Sequence, residues 1–162
     1  MRRTTRRSLP SSKNMKPLVE NKKARLEYEF LDTFEAGMAL SGFEVKSLRA
    51  GKATLAGARI IARAGEAFLV GATISPYQEK NTPQSYDPER TRKLLLNKKE
   101  IAELSGAEGA KGLTIIPIMV YDKGRSLKLH LAIVRHKKKH DKREALKERD
   151  AKRDIRRSLK DE

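Results

Sequence analysis

The chain has 162 residues, 37 Lys/Arg against 21 Asp/Glu, a formal net charge of +16 and no cysteine. That length suits one domain, and the missing cysteine excludes a disulfide framework, a thiolate zinc site and a cysteine nucleophile. The longest apolar stretch, Leu113–Tyr121, is interrupted by Pro117 and falls far short of a membrane span of about 20 residues.

The charge is uneven: residues 1–25 carry +8 and residues 135–162 carry +6, while 26–134 carry only +2. A near-neutral globule with two basic arms is suited to hold a larger polyanion. RNA is the first candidate, because Lys/Arg on phosphates releases counterions. Residues 1–20 read as a disordered basic arm opening MRRTTRRSLPSS. A transit peptide shares that composition but needs an amphipathic stripe, and a secretory signal needs an apolar run after the arginines.

Residues 21–135 read as the folded domain, mainly β with helices. Leu26–Glu35 alternates as a strand, with Leu26, Tyr28, Phe30 and then Phe34 on roughly one face. Ser41-Gly-Phe-Glu44 is a capping box, opening a helix with Phe43, Val45 and Leu48 that stops near Gly51. Arg59–Ala64 and Glu66–Ala72 flank a hairpin turn at Ala64-Gly65. Residues 74–87, with Pro76 and Pro83, form an exposed connecting loop. Asp87-Pro88 opens a second helix over Glu89–Leu96, and Asn97-Lys-Lys-Glu100 a third that holds Ile101 and Leu104 before Gly106. Thr114–Tyr121 and Arg125–Val134 flank a second hairpin at Asp122-Lys123-Gly124. In its return strand Leu127, Leu129, Leu131 and Ile133 point one way and Ser126, Lys128 and His130 the other. Five or more short strands with about three flanking helices fit an oligonucleotide-binding-type small β-barrel, a fold that commonly reads nucleic acid.

Residues 136–162 form a basic tail. Asp141-Lys-Arg-Glu144 is a further capping box, and Ala151, Ile155 and Leu159 make a thin stripe, with Leu146 before it. So few aliphatic residues do not stabilise a free helix of this length. The tail reads as disordered when free and helical on a charged surface; the competing reading is a charged helix docked on the domain.

The residues do not assemble an enzyme. Gly51-Lys52 is followed by Ala53 where a phosphate loop needs Ser/Thr. His136 and His140 have the i, i+4 spacing of metal ligands, but Lys137, Lys138 and Lys139 between them repel a cation. No cofactor is expected. Arg90, Arg92 and Lys93 are candidates to grip phosphates, as are Lys137 and Lys138 at the base of the tail. At least two of Leu94, Leu95 and Leu96 belong to the core. Asn97 is either a helix cap or an RNA contact. Glu35 is either an exposed strand carboxylate or an acceptor for a base edge or ribose. Tyr28 is either core or a stacking ring.

The runs NKKARLEY (21–28), FEAGMALSGFEVKSLRAGKA (34–53), GEAFLVGATISPY (65–77), DPERTRKLLLNKKEI (87–101) and KKKHDKRE (137–144) together resemble the bacterial small protein B family, the SsrA-binding proteins. The resemblance implies an oligonucleotide-binding-type barrel and a cytoplasmic, non-enzymatic adaptor that acts as a monomer. The barrel would hold the tRNA-like domain of transfer-messenger RNA and promote its alanylation. With elongation factor Tu it would accompany that RNA to stalled ribosomes, meeting the factor and alanyl-tRNA synthetase through the RNA. The tail would enter the vacant message channel by the decoding region of the small subunit. The family's RNA contacts fall on Tyr28, Glu35, Leu95 and Asn97. Its tail motif falls on His140, Asp141, Lys142 and Arg143, with Lys147 and Ile155 in the helix beyond. Three positions depart from the family pattern: His136 replaces a frequent Gly, Thr54 an Asn, and Ala56-Gly57-Ala58-Arg59 a polar run with a Tyr. RNA contacts in that last segment are not carried over. A structural ribosomal-type protein bound permanently to ribosomal RNA suits the composition equally well.

Overall fold

Alternating apolar residues build the longest hairpin of the molecule, and the other strands add to its two sides. The computed structural model describes residues 16–158. In chain order the elements are β1 (Pro17–Glu20), α1 (Ala24–Glu27), β2 (Tyr28–Met38), α2 (Gly42–Arg49), β3 (Ala53–Thr54), β4 (Arg59–Arg63), β5 (Glu66–Val70), β6 (Thr73–Ile74), β7 (Arg92–Leu95), α3 (Lys98–Gly109), β8 (Leu113–Lys123), β9 (Ser126–His136) and α4 (Lys139–Ser158). A single 3-10 turn covers Glu79–Asn81.

Seven strands form one antiparallel sheet in the order β1-β8-β9-β2-β7-β5-β4, and β3 pairs with β6 separately. The last strand, β4, packs back against β8. No hydrogen-bonded ladder joins them among the described residues. The expected small β-barrel with flanking helices is seen among the described residues as a mixed α/β fold: a seven-stranded antiparallel sheet whose end strand β4 returns to β8 without a closing ladder, a small second sheet and four α-helices. Full closure needs a complete ring of ladders at a matched stagger; here the β4 edge is covered instead by β8 and α3, with Glu108 accepting the Ala62 N–H at 2.7 Å.

The main core lies on one side of the sheet and contains Phe34, Ala36, Leu48, Ile60, Leu69, Leu94, Leu104, Ile115, Leu129 and Leu131. A smaller cluster lies on the other side, where Ala24 of α1 meets Ile116, Ile118, Ala132 and Val134, with Tyr28 and Phe30 against it. The leucines of β9 do share the core face as expected, but its opposite face is also apolar at Ala132 and Val134 because α1 covers that end.

Several sequence expectations change here. The strand expected from Leu26 starts at Tyr28, because Ala24–Glu27 coils to bury Ala24. A register shift between Phe30 and Asp32 then turns the strand over. Tyr28 and Phe30 meet the small cluster while Phe34 enters the main core, so the four residues do not share a face. The helix expected over Glu89–Leu96 is absent. Asp87 Oδ1 accepts the Glu89 N–H at 2.9 Å, a local turn, and Arg92–Leu95 pairs with β2 and β5 instead. Of the arm read over 1–20, residues 17–20 form β1 on β8, and residues 1–15 lie outside the described residues. The third helix runs through Gly106 to Gly109. The tail helix begins at Lys139, so Asp141 is in its first turn rather than at its cap.

The capping boxes of α2 and α3 form as expected. At α2 the capping residue does much more. Glu44 is fully buried and accepts the Ser41 N–H at 2.9 Å. It also accepts from Arg90 Nε and from Arg92 Nε, each at 2.9 Å. Arg92 is itself fully buried, and its remaining donors reach the Ala72, Arg90 and Pro88 carbonyls. Tyr86 completes the group, donating to the Ile74 carbonyl at 2.8 Å. Of Arg90 and Arg92, both expected to grip phosphates, Arg92 is thus wholly enclosed around an internal carboxylate, while Arg90 binds the same carboxylate with a third of its side chain still exposed. Burial alone would raise the Glu44 pKa, but the hydrogen bonds from Arg90 and Ser41 and the charge of Arg92 outweigh it and hold the group ionised below the ordinary range.

Removing one partner of a buried pair leaves the others charged and unpaired, at about 3–5 kcal/mol. Glu44→Ala should lose stability on that scale in urea unfolding. A lowered folded-state pKa contributes stability that is present above the ordinary carboxylate pKa and lost as pH falls through the folded one. Thermal melts of Glu44→Gln should therefore lose less stability than wild type as pH drops from neutral to below the carboxylate range.

Candidate nucleic-acid interface

Residues paired across antiparallel strands share a face. Glu35 pairs with His130, and Gly37 with both Lys128 and Leu95. Lys128 pairs with Tyr121, and Ser126 with Lys123. With Lys93 two residues before Leu95 on β7, these pairs set Glu35, Leu95, Lys93, Tyr121, Lys123 and Lys128 on the face turned away from the main core. Gly37 lets the strands approach closely: a Cβ there would lie 3.2 Å from Leu95 Cβ and push the leucine aside by a few tenths of an ångström. Leu95 stands 57% exposed on this polar face, whereas Leu94 is buried and Leu96 packs at the core margin. Beside Leu95 a crevice of about 260 Å³ is bordered by Met38, Leu40, Val45, Arg125 and Lys128.

Glu35 is neither a bland surface acid nor a free ligand. Its carboxylate accepts from the Tyr121 hydroxyl and, at 2.9 Å, from Lys123 Nζ. Those two hydrogen bonds, aided by the charge of Lys128, hold it below the usual carboxylate range. Burial, with the neighbouring Glu35, pushes the Tyr121 phenol up. His130 is buried alongside, its Nδ1 without a hydrogen-bond partner, and burial pushes its pKa down. The result is a fixed anion among lysines with acceptor capacity left over. It can accept from an exocyclic amine or a ribose 2′-hydroxyl while the lysines take phosphates.

The remaining candidates disperse. Lys93 pairs with Glu66. Asn97 caps α3, its Oδ1 accepting the Glu100 N–H at 2.9 Å, two residues beyond Leu95 and the end of β7. Tyr28 is seven residues along β2 from Glu35, roughly 20 Å at strand rise. Its ring lies 4.7 Å from that of His136. Beside it a cleft of about 360 Å³ is lined by Asn21, Lys23, Arg59 and the small Ala56-Gly57-Ala58 segment. Lys137 is tied to α1, its Nζ donating to the Arg25 carbonyl at 2.9 Å, while Lys138 is exposed. No residue of α4 is buried. His140 Nδ1 is 3.7 Å from Glu144, and Lys142, Arg143 and Lys147 ride the same exposed helix. Ile155 is 58% exposed, and Leu159 of the expected stripe lies outside the described residues. Sequence reasoning missed Tyr121, Lys123 and Lys128. The alternation of β9 singled out Lys128, but nothing local linked the hairpin to Glu35.

Glu35→Ala strands the buried Tyr121 hydroxyl and should cost about 1–3 kcal/mol in urea unfolding, whereas Glu35→Gln keeps an acceptor and should cost less. RNA-binding tests at this position therefore belong to the Gln variant. Asn97→Ala should cost about 1 kcal/mol through the lost cap alone, so only an affinity loss in a folded protein counts toward recognition.

The model of the family described as SmpB protein matches residues 18–161. An SsrA-binding protein from Microcystis aeruginosa is 48% identical over 146 residues, covering 90% of this chain and 95% of that one. One from Gloeobacter violaceus is 47% identical over 152 residues, covering 94% and 99%. A solved structure described as "tmRNA-SmpB: a journey to the center of the bacterial ribosome" superposes with a TM-score of 0.63 at 43% identity, over 78% of this chain and 92% of that one. With sequence similarity running from β1 through the tail, and a fold shared at that identity, the chain belongs to the SmpB protein family.

Proposed function

We propose that this protein is the RNA-binding adaptor of ribosome rescue. The family match over 18–161 carries the reading, since it takes in both the sheet and the basic tail. Relatives named SsrA-binding protein and a neighbour described as tmRNA-SmpB in the ribosome support transfer-messenger RNA and the ribosome as partners. In this reading the outer face holds the tRNA-like domain: Leu95 meets an apolar base or sugar surface, Glu35 accepts from the RNA, and Lys123 and Lys128 neutralise phosphates. Asn97 offers its amide nitrogen beside them, and Tyr28 a ring at the far end of the strand. Alanylation and delivery follow from holding the RNA in one shape, with alanyl-tRNA synthetase and elongation factor Tu meeting it through the RNA. The protein acts as a cytoplasmic monomer. Among the described residues no helix is long and apolar enough to cross a membrane.

The tail takes the second role. A 20-residue helix that touches α1 but buries no residue has, beyond that contact and its Glu148–Lys152 pair, only its own weak propensity to hold it. We place it in the vacant message channel near the decoding region, where its lysines and arginines meet ribosomal phosphates and the helix becomes persistent. Its first turn supplies His140, Asp141, Lys142 and Arg143, with Lys147 and Ile155 further along.

Sequencing the RNA that co-purifies with the protein tests the core of this. Transfer-messenger RNA, with sub-stoichiometric ribosomes, is expected; constant stoichiometry with one ribosomal subunit would mean a structural ribosomal protein instead. Affinity for the tRNA-like domain should fall with salt at a log–log slope near −4, for about five neutralised phosphates. Truncation after Lys139 should leave the melting temperature within a degree or two of wild type, weaken RNA binding modestly and abolish tagging on stalled ribosomes. Strong amide protection of α4 in the free protein would overturn its folding on the ribosome.

A further inference from the structure

The loop between β6 and β7 has a structure that its role as a connector does not require. It is fixed at both ends by the Glu44 group, through Tyr86 and through Arg92 on the Pro88 carbonyl. Lys52 Nζ donates to the Tyr77 carbonyl at 3.1 Å and lies 5.4 Å from the centre of the Tyr77 ring. Inside the loop, Asn81 Nδ2 donates to Gln78 Oε1 at 2.6 Å and Thr82 Oγ1 to the Gln78 carbonyl at 2.8 Å. A loop held this firmly nevertheless leaves Tyr77 39% exposed.

Between this loop and α2 lies a cleft of about 340 Å³ lined by Phe43, Lys46, Tyr77, Gln78, Asn81 and Thr82. Two rings supply aromatic surface, two amides and a hydroxyl supply hydrogen-bonding edges, and Lys46 supplies a cation with no ion pair among the described residues. Glu79 is the one carboxylate of residues 75–82, against Lys80 in the loop and Lys46 and Lys52 beside it. Aromatic faces with amide edges and lysines are the means by which proteins hold unstacked bases of single-stranded RNA. The cleft is separate from the outer face but shares a wall with it. Val45 of α2 borders the crevice beside Leu95, while Gly42, Phe43 and Lys46 border this cleft. The two are on the order of one helix width apart, about 10 Å.

We propose that this cleft is a second RNA site, which stacks an unpaired base against Tyr77 and places its phosphate at Lys46. The inference deepens the RNA-binding reading above and rests on it. The test uses the full-length protein and a fluorescent ten-residue oligouridine at low salt, read by anisotropy, with the tRNA-like domain titrated in parallel against wild type. Tyr77→Ala should weaken oligouridine binding on the order of 5- to 100-fold, the range for one stacked base. Tyr77→Phe, which keeps the ring, should stay within about twofold of wild type. Lys46→Glu, on an exposed helix position, should weaken binding without touching the loop. Ultraviolet cross-linking should mark residues 77–82. Wild-type oligouridine affinity in a folded Tyr77→Ala variant would overturn the site while leaving the RNA-binding reading intact, as would capture of the tRNA-like domain with no oligouridine bound. Failure of wild type to bind either RNA would overturn both. Loss in Tyr77→Ala of a contact that survives ribonuclease treatment of ribosomes, with oligouridine binding unchanged, would overturn it in favour of a protein partner.

Discussion

One buried carboxylate organises the molecule. Glu44 caps its own helix and binds two guanidinium groups from a segment 46 and 48 residues away. Desolvating Glu44 and Arg92 is expensive, and what the pair supplies in return is a fixed arrangement. Here the arrangement is the position of β7 relative to α2. Arg92 is the first residue of β7, and Leu95 and Asn97 follow at its end. The ion pair therefore decides where the exposed leucine and the cap of α3 stand. Through Tyr86 and Pro88 the same group fixes the loop that carries Tyr77, so both candidate RNA surfaces are hung from one interaction.

The surface charge divides into rigid and extended parts. On the sheet, Glu35 is held ionised by Tyr121 and Lys123. It creates a patterned site in which an acceptor sits at a fixed place among donors. A pattern of this kind discriminates between RNA shapes, whereas net positive charge only attracts them. The tail has the opposite character. Its helix buries no residue and sets a basic side with Lys142, Arg149, Arg153 and Arg156 against a side with Glu144, Glu148, Ala151 and Ile155. A helix this polar touches its own domain at α1 but buries nothing there, and its basic side suits a surface that supplies phosphates.

His136 closes the last strand at the base of the tail. β9 runs through His136 to pair with Tyr28, and the two rings approach each other. α4 starts three residues later. Only Lys137 and Lys138 therefore separate strand from helix. The small side chains of the Ala56-Gly57-Ala58 segment line the cleft next to Tyr28 and leave room where bulkier residues would fill it.

What the sequence determined by itself was whatever depends on near neighbours. The capping boxes at Ser41 and Asn97, the hairpin at Ala64-Gly65 and the leucine face of β9 are settled within a few residues by hydrogen bonds and side-chain alternation. The uneven charge and the family motifs likewise belong to the chain as written. Tertiary structure decided the rest. Arg90 and Arg92 read as phosphate ligands because their partner is invisible at short range, and Arg92–Leu95 read as helix because strand formation there depends on β2 and β5. The shift at Phe30, the strand order of the sheet and the meeting of Glu35 with Tyr121, 86 residues apart, are likewise properties of strand pairing. Register couples residues that no local pattern connects, so the anion at the centre of the outer face could be named from the sequence but its partners could not.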